Sequence, residues 1–140
     1  MMGGIYIQNQ VVTCFNGEIR DIATLGRIVD NWLCYTTQSN IKTVVFDRSI
    51  VDWAAWQMVL RDNVDVVGVC RALFRVAKPT LAVVFTRPLT LDTEDIDKIK
   101  SLQNNDKFVG KVIDIYNQLN VKIITHDNVE GFNYERLLRY

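Results

Sequence analysis

The residues best able to do chemistry lie just beyond three short apolar runs: Asp47-Arg48-Ser49 after 43–46 (TVVF), Arg87 after 81–85 (LAVVF), and His126-Asp127 after 121–125 (VKIIT). If the three runs are parallel strands of one open α/β sheet, their carboxyl ends share an edge, and that edge is where such sheets bind ligands. Arg48 and Arg87, beside a serine hydroxyl and helix N-termini, would there hold an anion or a phosphate group. The competing expectation is that strand ends are polar because the chain emerges into water, with Asp47, Ser49 and Asp127 capping the helices that follow. Ser49, His126 and Asp127 are also the components of a hydrolase triad. Adjacent His and Asp cannot face one another as a triad requires, however, and the chain has no Gly-x-Ser-x-Gly elbow.

Other chemistry is limited by composition. Cys14, Cys34 and Cys70 are odd in number, far apart and set in apolar segments, which predicts buried free thiols. Cys70 has only arginine for neighbouring charge and so no base to activate it. The single histidine, His126, leaves no ligand set for a structural zinc, and no metal or cofactor is expected. Sixteen basic and sixteen acidic residues cancel, so no overall field draws in nucleic acid or anionic lipid. The opening MMGGIYIQNQ lacks the basic segment and apolar core of a secretion signal. The longest apolar tract, 64–76, is interrupted by Asp65, Arg71 and Arg75, which argues against integral membrane association. The expected location is cytoplasmic. A chain of 140 residues, 49% hydrophobic and 23% charged, predicts one packed domain over 1–140.

The elements that must position these residues follow from periodicity. Runs 5–8 and 11–15 are β-prone and separated by Asn9-Gln10, the pattern of an N-terminal hairpin. From Asp21, an N-cap residue, Ile22, Leu25, Ile28, Val29, Trp32 and Leu33 recur at helical spacing. Continuous apolar runs predict strands buried on both faces at 43–46 and 81–85, with a last strand at 121–125. After Ser49, Val51, Ala54, Ala55, Met58 and Val59 mark one helical face, with Trp53, Trp56 and Leu60 beside it. A further helical piece runs from a cap at Asp62 or Asn63 to Val76. Segment 90–105 is acidic, with a short helix on Ile96, Ile99 and Leu102. A helix opens at Asp106, and another is capped by Asp127 or Asn128. The order β-β-α-β-α-α-β-α-β-α implies an α/β fold: a mixed sheet of about five strands, an N-terminal antiparallel hairpin followed by parallel strands, with helices packed on it.

With two apolar faces, the helix after Ser49 has more apolar surface than one sheet contact covers. Trp53, Trp56 and Leu60 are therefore candidates for a homodimer interface, a protein partner or an apolar small-ligand pocket, and equally for the core.

The segments VVTCFNGEIRDIATLGRIV, IKTVVFDRS, PTLAVVFTRPL and VKIITHDNVEGFNYERLL resemble the STAS-like fold of the SpoIIAA-like proteins, relatives of the anti-sigma-factor antagonists, over nearly the full length outside 90–105. The resemblance implies a non-catalytic regulatory module, with small-domain dimers and apolar ligands among its associations. Antagonists of this type carry a phosphorylatable serine in an Asp-Ser-Ser-Gly turn. This chain has Asp52-Trp53-Ala54-Ala55-Trp56 near that place, so the switch does not carry over. A shorter likeness, VVFDRSIVDWAAW with LAVVFTRPL and VKIIT, is to the later half of P-loop nucleoside and nucleotide kinases. Those enzymes need a glycine-rich loop ending in Gly-Lys-Ser/Thr, which this sequence lacks. The expected function is a non-enzymatic STAS-like regulatory, protein-interaction or apolar-ligand-binding module. The alternative is a degenerate nucleotide- or anion-binding enzyme fold using Asp47, Arg48, Arg87 and His126.

Overall fold

The computed structural model describes residues 4–8, 18–61, 66–87, 99, 102–127 and 132. Its elements in chain order are β1 (Gly4–Gln8), α1 (Glu18–Thr36), β2 (Thr43–Asp47), α2 (Ile50–Arg61), α3 (Val67–Val76), β3 (Ala82–Phe85), α4 (Asn105–Gln118) and β4 (Ile123–His126). The fold is α/β. Among the described residues the strands form two parallel pairs, β1 with β2 from Gly4↔Thr43 to Gln8↔Asp47 and β3 with β4 from Ala82↔Ile123 to Phe85↔His126. Parallel neighbours need a crossover, and α1 lies between the strands of the first pair as α4 does between those of the second. The hairpin partner expected at 11–15 lies outside the described residues. The partner that β1 has within them is β2, which sets Ile5 beside Val44 and Ile7 beside Phe46.

The helices start and stop where local hydrogen bonding allows. α1 begins at Glu18, so Asp21 is inside the helix rather than its cap. At its other end the Thr36 hydroxyl donates to the Trp32 carbonyl (2.6 Å), Thr37 to Leu33 (2.5 Å) and the Gln38 amide to Cys34 (3.1 Å), the last two carbonyls belonging to the final four residues of the helix, which lack an intrahelical donor. α3 starts at Val67 behind Val66, which offers no side-chain cap; the caps expected at Asp62 or Asn63 lie outside the described residues. α4 opens at Asn105, one residue ahead of the expected Asp106. It closes with the Val121 N–H on the Tyr116 carbonyl (3.0 Å) and the Asn120 N–H on that of Asn117 (3.2 Å). Asn120 takes φ 57° to make this left-handed stop, which asparagine tolerates better than most residues.

α2 is the central helix. It packs against α1, α3 and α4, and Ile50, Val51, Ala54 and Ala55 have no exposed surface. Of the second apolar face noted in the sequence, Trp53 lies in the core at 9% exposure and Trp56 stacks on Phe108 of α4 at 4.4 Å. A chain of aromatic rings crosses the domain. Phe46 of β2 stacks on Trp32 of α1 (4.8 Å), Trp32 meets Phe74 of α3 (5.4 Å), and Phe74 meets Tyr116 of α4 (6.4 Å). Such contacts add about 0.5–1.5 kcal/mol each beyond the area they bury. Cys70 is buried as expected, but Cys34 is exposed. Trp32 points inward from α1 while Leu33 and Cys34 face outward, and helical phase decides over local composition. Cys14 lies outside the described residues.

Candidate functional site

The turn from β2 to α2 holds Asp47, Arg48 and Ser49. Arg48 has φ 68°, a left-handed conformation unusual for a residue with a Cβ, and it turns the chain sharply from strand into helix. Ser49 is then the N-cap. Its Oγ accepts from the Val51 N–H at 3.1 Å, while the Asp52 carboxylate accepts from the Ser49 N–H at 2.8 Å. Serine with an acid three residues on forms a capping box that satisfies two otherwise orphaned donors, worth about 1 kcal/mol for the serine alone. Arg48 reaches back to Asp52 at 3.3 Å. That pair is half open to water on the arginine side and contributes little. Asp47 accepts from the hydroxyl of Tyr6 on the neighbouring strand.

Beneath the turn lies a buried polar node. Ser49 Oγ is 3.0 Å from the Tyr116 hydroxyl, joining α2 to α4 across 67 residues of sequence. Cys70 Sγ sits 3.7 Å from the Ile50 carbonyl. Burial pushes the Cys70 thiol up to about 12, and the Asp52 charge adds to the shift. Burial also raises the Tyr116 phenol, with Asp52 acting in the same direction and the hydrogen bond to Ser49 partly opposing it. At neutral pH both groups are therefore protonated. Neither is a thiolate nucleophile or a base able to take a proton from Ser49, and the serine is already engaged as a cap.

The second group lies at the end of the other strand pair. Beyond Phe85 and His126 the ladder continues, with the Thr86 N–H on the His126 carbonyl (2.9 Å) and the Arg87 N–H on the Asp127 carbonyl (2.7 Å). Arg87 and Asp127 are thus neighbours with exposed side chains. The His126 ring meets the edges of Phe85 (6.2 Å) and Phe132 (5.2 Å). The structure therefore gathers Arg87, His126 and Asp127 at one pair and Asp47, Arg48 and Ser49 at the other, and no ladder joins β2 to β3 among the described residues. Leu60 is half-buried at the last turn of α2.

Sequence reasoning passed over Tyr6, Asp52, Cys70 and Tyr116 as parts of this turn. The spacing of Ser49 and Asp52 is a visible capping-box signature. No local pattern announces the contact of Ser49 with Tyr116. Among the described residues no three His, Cys, Asp or Glu side chains group as a metal site, and no helix is long and apolar enough to cross a membrane. No family model, curated protein or solved structure matches the chain.

Proposed function

We propose that the chain is a non-enzymatic α/β module of STAS-like type that acts through contact with other proteins. The observation that carries this reading is the use made of Ser49, the one serine at the β2–α2 turn. It is 7% exposed, its oxygen bonds the Val51 N–H and the Tyr116 hydroxyl, and the nearby Cys70 thiol and Tyr116 phenol hold their protons. A hydroxyl so placed is neither a nucleophile nor an open phosphate acceptor. The parallel units β1-α1-β2 and β3-α4-β4 suit the STAS-like arrangement, whose five-stranded mixed sheet would join them into one ladder. Trp53 and Trp56 support the core in this reading, which leaves outward helix faces for partners.

A fluorophosphonate probe tests the non-catalytic half. The chain is expected to remain unlabelled at Ser49 under native conditions, and stoichiometric labelling there would overturn the reading. A second reading has its own observation: the parallel end of β3 and β4 sets exposed Arg87 beside Asp127 and His126, an arrangement suited to a small anion. Phosphate and nucleotides in a thermal-shift series decide between the two. A ligand at a hundred times its Kd adds about 2.7 kcal/mol. A shift abolished by Arg87→Ala would favour the anion site, and no shift with any of them removes it.

A further inference from the structure

The outward face of α1 differs from those of the other helices in carrying large exposed apolar side chains with a balanced pair of charges. Ile22 is 68% exposed and Leu33 39%. Between them lie Ala23, Gly26, Arg27 and Asp30, all exposed. At 100° per residue these six fall within about 140° of the helix surface, opposite the inward Thr24, Ile28 and Trp32. The outer face of α3 also carries an exposed apolar residue, Val76, but beside it stand Arg71 and Arg75, which would repel a second copy, and that of α4 is polar, with Asp106, Lys107 and Asp114. A Cβ at Gly26 would meet nothing within the chain, so the middle of the α1 face is open and shallow. Neither Arg27 nor Asp30 makes an ion pair among the described residues.

We infer that this face is the contact surface for a second copy of the same chain, with the two α1 helices packed antiparallel about a two-fold axis. The pattern is self-complementary in that orientation alone. Reversing one helix brings Arg27 of each copy to Asp30 of the other, twice by symmetry. It also brings Ile22 to Leu33, which lie together on one edge of the face, while Gly26 sits near the crossing where the backbones come closest. A parallel pair would set Arg27 against Arg27 and Asp30 against Asp30. The span from Ile22 to Leu33 is only about 16 Å of helix. The contact is therefore smaller than a standard interface and the association is weak and concentration-dependent. This deepens the interaction reading above and rests on it, since it names the partner.

Charge reversal tests it through sedimentation of the full chain from about 10 µM to about 1 mM, the range in which a weak dimer changes its population. The parent chain is expected to shift from monomer to dimer. Arg27→Asp leaves each copy with two acids on the face and Asp30→Arg with two bases, so each variant alone loses about tenfold or more in association. Mixing the two variants restores it as a heterodimer, because an acidic face meets a basic one. The doubly swapped Arg27→Asp/Asp30→Arg chain also dimerises. Both sites are exposed, and far-UV circular dichroism checks that the variants remain helical. Monomers throughout the range, a dimer that the single reversals leave unchanged, or a mixture no tighter than its components would each overturn the inference. Continued inertness of Ser49 to the fluorophosphonate would then leave the non-catalytic reading standing without this partner.

Discussion

Removal of the Ser49 hydroxyl gives the sharpest test of the β2–α2 turn. In Ser49→Ala the Val51 N–H loses its cap, at a cost of about 1 kcal/mol. The buried Tyr116 hydroxyl loses the partner 3.0 Å away, and an unsatisfied buried donor costs about 1–3 kcal/mol. The total is about 2–4 kcal/mol, or about 7–14 °C in Tm for a chain of this size. Tyr116→Phe should cost only about 1 kcal/mol, because Ser49 keeps its bond to Val51. In the double variant no orphaned hydroxyl remains, so its loss should fall short of the sum of the two singles by about 1–2 kcal/mol. Urea unfolding of the four proteins measures that coupling directly. Additivity within about 0.5 kcal/mol would refute the contact. A Ser49→Ala protein as stable as its parent or more so would refute the structural role itself, since stability gained on removing a polar side chain is the behaviour of a functional site.

Four further outcomes are expected. Thr24 is 1% exposed and its hydroxyl has no partner, so the nearly isosteric Thr24→Val should raise stability by about 1 kcal/mol in urea titrations. Gly110 lies within α4 where a Cβ meets nothing, so Gly110→Ala should add about 0.5–1 kcal/mol, seen as a higher Tm. Cys70 has a folded pKa raised from 9.0 to about 12. Its contribution is fully present below pH 9 and is lost between pH 9 and 12, because the unfolded thiol gives up its proton first. The loss approaches about 1.4 kcal/mol per pH unit, and Cys70→Ala should flatten that part of the profile. In peptide mapping at pH 8, iodoacetamide should reach exposed Cys34 and spare Cys70 until the chain unfolds.

The sequence is most legible where one periodic signal covers a whole element. The helical spacing of Leu25, Ile28 and Trp32 locates α1, although Ile22 and Leu33 of the same expected series face outward, and the apolar runs ending at Phe46 and Phe85 locate β2 and β3. Boundaries are less legible because they depend on hydrogen bonds rather than on pattern. Asp21 looks like a cap, yet the helix extends back to Glu18, and α3 starts behind Val66 with no capping side chain. Cys34 shows the limit of composition: it has apolar neighbours in the chain and water beside it in space.

The Asp-Arg-Ser triplet shows why the same letters admit a site and a scaffold. Arginine flanked by two hydrogen-bonding residues at a strand end is what an anion site needs, and also what a sharp strand-to-helix turn can use. The difference lies in a phenol 67 residues away and in the backbone angle of Arg48, neither of which is written locally. Once Tyr116 meets Ser49, the serine oxygen has a cap to serve on one side and a neighbouring helix on the other. A phosphate placed on it would have to displace both in a space that is 7% exposed. A regulatory role for this chain therefore has to act through surfaces that remain open. On α1 such a surface carries Arg27 and Asp30 in an order that a reversed copy of the same helix would complement twice.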